Sequence, residues 1–303
     1  MKLNTLALKD KRLFERFLNL SGHELSVYNF ANIYIWKKLF QIKWQLIEGN
    51  LCVFFRDNTG CFLYLAPLGK KINLAFMVKV FNIMDRFNRN KEISRIENIE
   101  EKDLAFYRDA GYICRDKFRD YLCSRDELAG LKGNKFKSQR ALFNYFIKHY
   151  KYEYLPFSWR QKKDCLKLYL EWMQEREGKR TDPVYRGMLL DSRAALEALL
   201  AGYPGLNVVG RVVKIKGEIK AFTFGFRLNK DTFCILYEIT DLSLKGLSQF
   251  IFRKFCLELK DYKYINIMDD SGLANLRKVK LSYRPVKLIS NYVITRKNVA
   301  EYR

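Results

Sequence analysis

The segment Asn266–Pro285 (NIMDDSGLANLRKVKLSYRP) combines two adjacent acids with a basic stretch of helical pattern. A strand pattern precedes Asp269 and Asp270, so both carboxylates are predicted at the C-terminal end of a strand, where sites of α/β proteins collect. A carboxylate placed there could accept a proton from an attacking hydroxyl or amine. The alternative is that one or both acids cap the following helix. The cations of that helix would bind phosphate or lie in solvent; they are Arg277, Lys280 and Arg284.

A second segment, Glu238–Gln249 (EITDLSLKGLSQ), follows a strand pattern and opens a helix pattern. Backbone N–H groups at such a junction bind phosphate when glycines let the ligand approach. Only Gly246 is present, and the neighbouring Lys245 could still meet an anion. Glu238 is a further candidate acid–base group. The alternative is that Glu238 is a solvated strand end and that Asp241 is an N-cap.

A third segment, Lys132–Lys163, carries nine Lys or Arg residues against the single acid Glu153. Three of its cations are predicted together at the start of a helix, where the N-terminus already favours phosphate oxygens; they are Lys135, Lys137 and Arg140. The interleaved Phe and Tyr residues could stack on bases. The alternative, favoured for the aromatic residues, is that they form the buried stripe of a helix whose cations face solvent.

The hydrophobic patterns that must position these segments repeat along the chain. The first half predicts the order α α β β β α β α β, with Tyr112–Cys123 as its last strand. The second half predicts β α α β β β α β α β and ends on a strand over Val286–Ile294. The shared order resembles that of the N-acetyltransferase (GNAT) fold. We therefore expect an α/β (α+β) chain of two tandem GNAT-like, acyl-CoA N-acyltransferase-like domains, with mixed sheets flanked by helices.

The domain boundaries follow from the same patterns. A first domain, expected to be degenerate, is predicted over 1–125, a connecting basic helix over 126–150, and a second domain with the candidate active site over 151–303. The strand-to-helix segment Glu238–Gln249 lacks the spaced glycines of a turn that binds coenzyme A, so coenzyme A is the less favoured donor.

The composition indicates a folded chain with a polyanionic partner. The 303 residues are 49% hydrophobic, and 56 Lys and Arg face 33 Asp and Glu, for a net charge of +23. Such an excess attracts RNA, an anionic membrane surface or a phosphorylated small molecule, although a basic proteome would give the same charge. No apolar run approaches the ~20 residues of a membrane span. We expect a cytoplasmic protein, with attachment to the inner face of the membrane left open.

Cysteine and histidine usage argues against a metal site. The seven Cys form no CxxC pair and lie mostly in apolar runs, and the two His are far apart in sequence. The spacing of metal ligands is therefore missing. Buried, reduced thiols in a reducing compartment are predicted instead, and no tightly bound cofactor is expected.

The sequence resembles a known family in three places. DDSGLANLRKVKLSYRP is similar to the D-x-G…LR…K-x-S-[YF]-x-P signature of the C-terminal catalytic domain of phosphatidylglycerol lysyltransferases, and more so to soluble, stand-alone relatives of that domain. FANIYIW, from Phe30 to Trp36, resembles the family's F-x-N-x-Y-x-W element. GNKFKSQRALFNYF resembles its G-x-K-[FY]-x-x-x-R-x-x-x-N-x-F helix.

The resemblance implies a tandem acetyltransferase-like fold, an aminoacyl-tRNA donor and a lipid hydroxyl acceptor. It would place Asp269 or Asp270 near the acceptor and Arg277 and Lys280 near phosphate. The basic helix, through Lys135 and Arg140, would hold the anionic partner. From the sequence we expect no membrane domain of the kind that delivers the lipid in those enzymes, so the acceptor stays open.

Three hypotheses follow. The first is an aminoacyl- or acyltransferase that uses a charged tRNA or another phosphate-bearing donor. The second is a coenzyme A-dependent N-acetyltransferase. The third is a non-catalytic module that binds RNA or an anionic membrane surface, with an affinity that falls steeply with salt.

Overall fold

The computed structural model describes residues 3–69, 72–178 and 182–297. Within these ranges the strands are β1 (Asn4–Thr5), β2 (Gln41–Ile47), β3 (Asn50–Arg56), β4 (Cys61–Leu63), β5 (Arg95–Glu100), β6 (Ile113–Asp116), β7 (Asp120–Ser124), β8 (Glu153–Pro156), β9 (Val209–Ile215), β10 (Glu218–Arg227), β11 (Thr232–Thr240), β12 (Tyr264–Asn266), β13 (Lys287–Ile289) and β14 (Asn291–Thr295). The α-helices are α1 (Lys11–Leu18), α2 (Phe30–Tyr34), α3 (Leu74–Asp85), α4 (Leu104–Asp109), α5 (Arg125–Gly130), α6 (Lys137–His149), α7 (Lys162–Glu177), α8 (Pro183–Gly202), α9 (Leu247–Glu258) and α10 (Ala274–Ser282).

The chain divides into two compact units. The first contains the described residues up to Asp120 and those from Ile289 onward, and the second contains the described residues from Tyr121 to Leu288. Each unit holds one mixed sheet flanked by helices, which confirms the predicted α/β class.

The sheet of the first unit has the order β1-β2-β3-β4-β5-β14-β6. Strands β4 and β5 are parallel, and the other paired strands are antiparallel. Apolar side chains of α3 pack on this sheet with residues of β3, β5 and β14, including Phe54, Phe81, Ile96 and Ile294. Burial of this face supplies the main driving force for folding of the unit.

The sheet of the second unit has the order β8-β9-β10-β11-β12-β7-β13. Strands β11 and β12 are parallel, but only Thr232–Cys234 of β11 pairs with β12. Strand β11 continues to Thr240, so its last six residues run on without β12 beside them. The sheet therefore opens between its two central strands at their C-terminal ends, where sites of α/β sheets form.

The two sheets have the same strand order, with one position exchanged. The place beside β5 is taken by β14 from the end of the chain, and the place beside β12 is taken by β7 from the end of the first half. This corrects two predicted strands. Tyr112–Cys123 separates into β6 and β7, and Val286–Ile294 separates into β13 and β14, each pair divided between the two sheets. The observed units consequently differ from the predicted boundaries at 125 and 303.

The predicted single helix over 126–150 is also corrected, because two helices occupy that range. Helix α5 ends at Gly130, the next residue, Leu131, adopts a left-handed conformation (φ 49°), and Gly133 follows with φ 80°. Such residues end a helix and reverse the chain. Helix α6 then packs on α9, where the rings of Phe146 and Phe250 lie 4.7 Å apart. Both helices belong to the second unit.

Six of the seven cysteines are buried and all seven are free, so the burial predicted from the apolar runs is confirmed for all but Cys114.

Candidate functional site

The candidate site of the second unit is built around Glu238, on the part of β11 that extends past β12. One carboxyl oxygen, Oε1, accepts a hydrogen bond of 2.9 Å from the hydroxyl of Ser248 in the first turn of α9. The other oxygen, Oε2, is buried and has no hydrogen-bond partner among the described residues. Burial raises the pKa of Glu238 to about 8, against a smaller lowering by Ser248. The carboxyl therefore keeps its proton to a higher pH than an exposed glutamate does.

A β-bulge precedes Glu238. Phe224 of β10 pairs with Tyr237 and the next residue, Gly225, pairs with Ile235, so Leu236 has no partner in the ladder. Gly225 permits this close approach, since a Cβ there would lie 2.5 Å from the carbonyl oxygen of Cys234. Bulges re-aim the side chains that follow them and occur beside active sites. The bulge therefore helps to orient Glu238.

Tyr283, just after α10, lies within electrostatic reach of Glu238. Burial raises the pKa of its phenol, and the charge of Glu238 raises it further. The ring stacks on Phe252 of α9 at 4.2 Å. This contact joins α9 and α10 beside the Glu238 carboxyl.

Side chains of the turn from β11 to α9 are held by contacts within the turn and with neighbouring elements. Asp241 accepts a hydrogen bond of 3.0 Å from the backbone N–H of Ser243 and forms an ion pair of 3.3 Å with Lys220. Gly246 is left-handed (φ 86°), and a Cβ there would lie 2.1 Å from the carbonyl oxygen of Leu142 on α6. The glycine therefore allows α9 to begin against α6. The ammonium group of Lys245 lies 4.6 Å from the centre of the Tyr145 ring.

The two acids that follow β12 have different surroundings. Asp270 is buried; its Oδ2 accepts 2.6 Å from the Tyr121 hydroxyl and its Oδ1 accepts 3.0 Å from the Gly272 N–H. Asp269 is half-buried and accepts 2.7 Å from the Ser271 N–H. Burial, and then the hydrogen bond to Asp270, raise the pKa of Tyr121 to about 12. Asp270 is therefore engaged in holding the turn after β12, whereas Asp269 keeps one face towards solvent.

The three predicted cations of α10 and its C-terminal end are not equivalent. Lys280 is buried, and its ammonium group donates to the carbonyl oxygen of Ile267. Arg277 and Arg284 are exposed. Arg284 has a positive φ of 55°, and Met268 and Ser271 also have positive φ. Positive φ in residues other than glycine costs energy and is concentrated at functional sites.

The three cations predicted at the start of α6 also differ in their surroundings. Lys135 pairs with Glu127, and the guanidinium of Arg140 donates to the carbonyl oxygens of Leu131 and Gly133. Arg140 thus satisfies carbonyl groups left open at the C-terminal end of α5. Lys137 is exposed and makes no ion pair within the described part of the chain.

The structure brings Asp269, Asp270, Arg277 and Lys280 together around the end of β12, and places Glu238 with Ser248 and Tyr283. Sequence reasoning missed the positioning residues Tyr121, Ser248 and Tyr283. Ser248 lies in the segment Glu238–Gln249 and Tyr283 in the segment Asn266–Pro285, so both could have been proposed from their closeness in sequence to the candidate acids. Tyr121 is 149 residues from Asp270, and its strand pattern carries no such signal.

Two further properties concern the described ranges alone. No helix there combines the length and the apolar character needed to cross a bilayer. Residues 3–69, 72–178 and 182–297 also contain no cluster of three or more His, Cys, Asp or Glu side chains that would hold a metal ion.

Solved structures share this architecture. A conserved protein of unknown function from Bacteroides thetaiotaomicron VPI-5482 is 26% identical, with a TM-score of 0.86 over 98% of this chain and 100% of that one. L-PGS from Bacillus licheniformis is 20% identical, with a TM-score of 0.63 over 95% of this chain and 92% of that one. The tandem GNAT protein from the clavulanic acid biosynthesis pathway is 8% identical, with a TM-score of 0.51 over 98% and 99%. The tandem GNAT-like fold predicted from the element order is confirmed.

The sequence matches none of the curated proteins with which it was compared. A family model, described as phosphatidylglycerol lysyltransferase, C-terminal, matches residues 18–295. This match covers most of the chain and includes both units. The chain therefore belongs to the phosphatidylglycerol lysyltransferase C-terminal family, as its motifs predict.

Proposed function

We propose that the second unit is an acyltransferase that moves an aminoacyl group from a charged tRNA, or an acyl group from another phosphate-bearing donor, to a hydroxyl or amine. The observation that carries the proposal is the carboxyl of Glu238, on the part of β11 that runs past β12, whose Oε2 is buried and unpaired in the described structure. Family membership and the acyltransferase-like fold support the same class of reaction.

The proposed reaction transfers the acyl group directly from the donor oxygen to the acceptor. The acceptor oxygen or nitrogen attacks the carbonyl carbon of the donor ester, and its proton passes to Oε2 of Glu238. The bond between that carbon and the donor oxygen then breaks, and the proton returns to the leaving oxygen. The step uses the ionised carboxylate, which is the minor form at neutral pH because the pKa is about 8, so the rate of transfer should rise as the pH approaches 8.

Glu238 is preferred over the two aspartates as the proton acceptor. Asp270 already accepts hydrogen bonds on both oxygens. Asp269 accepts hydrogen bonds from the N–H and the hydroxyl of Ser271, so its environment resembles that of a turn-stabilising residue. We assign Asp269 a secondary place, near the acceptor.

The donor phosphates are proposed to contact the exposed cations Arg277, Arg284 and Lys137. Lys280 and Arg140 are engaged with backbone carbonyls and would act by fixing the loops that carry those cations. Two observations argue against coenzyme A at the β11–α9 turn. The space beside Gly246 is filled by α6, so a pyrophosphate could not approach the backbone there. The carboxylate of Asp241 also lies in the turn, where it would repel phosphate.

Equilibrium binding to charged total tRNA, uncharged total tRNA and acetyl-coenzyme A, over a salt series, tests the proposal. We expect tighter binding of the charged tRNA, and weaker tRNA binding for Arg277→Gln than for Lys230→Gln. Lys230 is an exposed cation in the loop before β11, so the control makes the same change in net charge. Equal, salt-sensitive binding of both tRNA forms would favour a non-catalytic module, and tight acetyl-coenzyme A binding would favour an acetyltransferase.

A further inference from the structure

Three side chains of the first unit lie in series on the segment between α1 and α2 and at the end of β5. The hydroxyl of Ser21 lies 3.1 Å from Nε2 of His23. Nδ1 of the same imidazole lies 2.8 Å from Oε2 of Glu100, the last residue of β5. Hydroxyl, imidazole and carboxylate in this order are the arrangement that activates a serine nucleophile.

The hydrogen bonds determine which imidazole nitrogen carries the proton. Burial alone would raise the pKa of Glu100, but the hydrogen bond and the positive charge of His23, and then hydrogen bonds from Lys102 and the Glu24 N–H, outweigh it and lower the pKa to about 2. The carboxylate is therefore ionised and can only accept, so Nδ1 of His23 must donate. In the neutral ring Nε2 then carries the lone pair, and it faces the Ser21 hydroxyl. This is the tautomer that a general base needs.

The imidazole and the carboxylate are held in place from several sides. His23 is buried and its ring stacks on Tyr28 with centroids 3.9 Å apart. Oε1 of Glu100 accepts from the backbone N–H groups of Glu24, at 2.6 Å, and Leu25, at 3.2 Å. A base fixed by packing and second hydrogen bonds loses little entropy when it takes a proton.

Ser21 differs from its two partners because it is exposed. A buried His–Glu pair that ends on an exposed hydroxyl presents the nucleophile to solvent while keeping the base dry. Lys102 also contacts the carboxylate at 2.7 Å and donates to the carbonyl oxygen of Gly22 at 2.7 Å, so a cation fixes the backbone beside Ser21. If these residues only anchored the segment between α1 and α2, the contacts to Glu100 would suffice. The alignment of the Ser21 hydroxyl with Nε2 of His23 would not be needed.

We propose that Ser21, His23 and Glu100 form a second acyl-transfer site, distinct from that of Glu238, which takes small carboxylic esters. Ser21 Oγ attacks the ester carbonyl carbon and its proton moves to Nε2 of His23. The bond from that carbon to the alcohol oxygen breaks, and the alcohol leaves with the proton from Nε2. Water then attacks the acyl-serine while Nε2 of His23 accepts its proton. The bond from the acyl carbon to Ser21 Oγ breaks, Oγ takes the proton from Nε2, and the carboxylic acid is released. Glu100 keeps its hydrogen bond to Nδ1 and stabilises the imidazolium throughout.

Reaction of the full chain with a fluorophosphonate tests this assignment, because the Ser21 oxygen would bond to phosphorus with loss of fluoride. Mass spectrometry of the digested protein identifies the modified residue. p-Nitrophenyl acetate provides the rate of ester cleavage in the same samples. The variants are Ser21→Ala, His23→Gln and the control Ser282→Ala, whose hydroxyl donates to the carbonyl oxygen of Val279 rather than to an imidazole.

We expect a single modification at Ser21, none in Ser21→Ala, and full reaction in Ser282→Ala. His23→Gln should react at least ~100-fold more slowly, the usual contribution of a general base. Because Ser21 is exposed, its alanine variant should fold normally and keeps the test valid even if His23→Gln unfolds. Modification no faster in the wild type than in Ser21→Ala, or modification spread over other serines, would overturn the proposal and leave the three residues as an anchor for the α1–α2 segment.

Discussion

The hydroxyl of Ser248, in the first turn of α9, donates a hydrogen bond of 2.9 Å to one carboxyl oxygen of Glu238 on β11, and the other oxygen is buried without a partner in the described structure. The bond joins the strand that opens the sheet to the helix that follows it. It fixes the carboxyl while leaving its second oxygen without a hydrogen bond among the described residues. The proposed chemistry and the cost of burying this acid both depend on that arrangement.

Replacement of Glu238 by Gln should change how stability depends on pH. Because burial raises the pKa from its ordinary 4.5 to about 8, the native state holds a proton that the unfolded state releases between these values. The wild type should lose about 1.4 kcal/mol for each pH unit across this window, a loss that the variant lacks. Urea unfolding at several pH values from 4 to 9 measures the difference. The exposed Glu153→Gln is the control, and parallel curves for Glu238→Gln and wild type would contradict the assignment.

Alanine at Gly246 should destabilise the second unit through the contact between α9 and α6. The left-handed backbone costs about 1–2 kcal/mol and the clash with the Leu142 carbonyl adds roughly 1–3 kcal/mol. Gly217→Ala is a matched control, since its φ is +82° and no heavy atom lies within 4 Å of its Cβ position. It should show the backbone cost alone. Equal losses of unfolding free energy in the two variants would show that the α6 contact is unimportant.

The hydrogen bond from Tyr121 to Asp270 should stabilise the turn after β12. Tyr121→Phe removes the hydroxyl and should cost about 1.5–3 kcal/mol, the range for a hydrogen bond to a charged group. A double-mutant cycle with Asp270→Asn isolates the pair, and we expect a coupling of about 0.5–3 kcal/mol. Tyr145→Phe, which keeps the ring under Lys245, serves as the reference. Additive effects would show that the two residues act independently.

The exchange of the last strands predicts where a C-terminal mutation acts. Ile294 of β14 is fully buried in the core of the first unit. Ile294→Ala should cost about 2–5 kcal/mol and speed hydrogen exchange in β4 and β5. The half-buried Val293→Ala should have a smaller effect. Faster exchange confined to β8–β11 would place β14 in the other sheet and contradict the topology.

Much of the fold was predictable from the sequence because strand and helix patterns are local. The order of elements in both halves follows from apolar periodicity and turn residues, and the tandem GNAT-like fold follows from that order. The exchange of β7 and β14 did not follow. Val286–Ile294 reads as one strand by its apolar residues, and nothing local shows that the chain changes sheets at Ser290, between β13 and β14.

The candidate site was only partly predictable. Glu238 was identified from its place after a strand pattern, but its unpaired buried oxygen depends on the bulge at Leu236 and on α9. Lys280 and Arg140 were expected at phosphate, whereas in the structure they bind backbone carbonyls, because sequence cannot distinguish a solvated cation from one turned inward. Their proposed roles are now in positioning.

The most direct test of the account is single-turnover transfer of radiolabelled amino acid from total charged tRNA to a mixed panel of hydroxyl and amine acceptors that includes anionic phospholipid vesicles. Wild type, Glu238→Gln and Asp269→Asn would be compared at equal tRNA occupancy. We expect transfer by the wild type, a fall of at least ~100-fold in Glu238→Gln with unchanged tRNA binding, and a smaller fall in Asp269→Asn. Transfer by Glu238→Gln at the wild-type rate would contradict the central role assigned to this carboxyl.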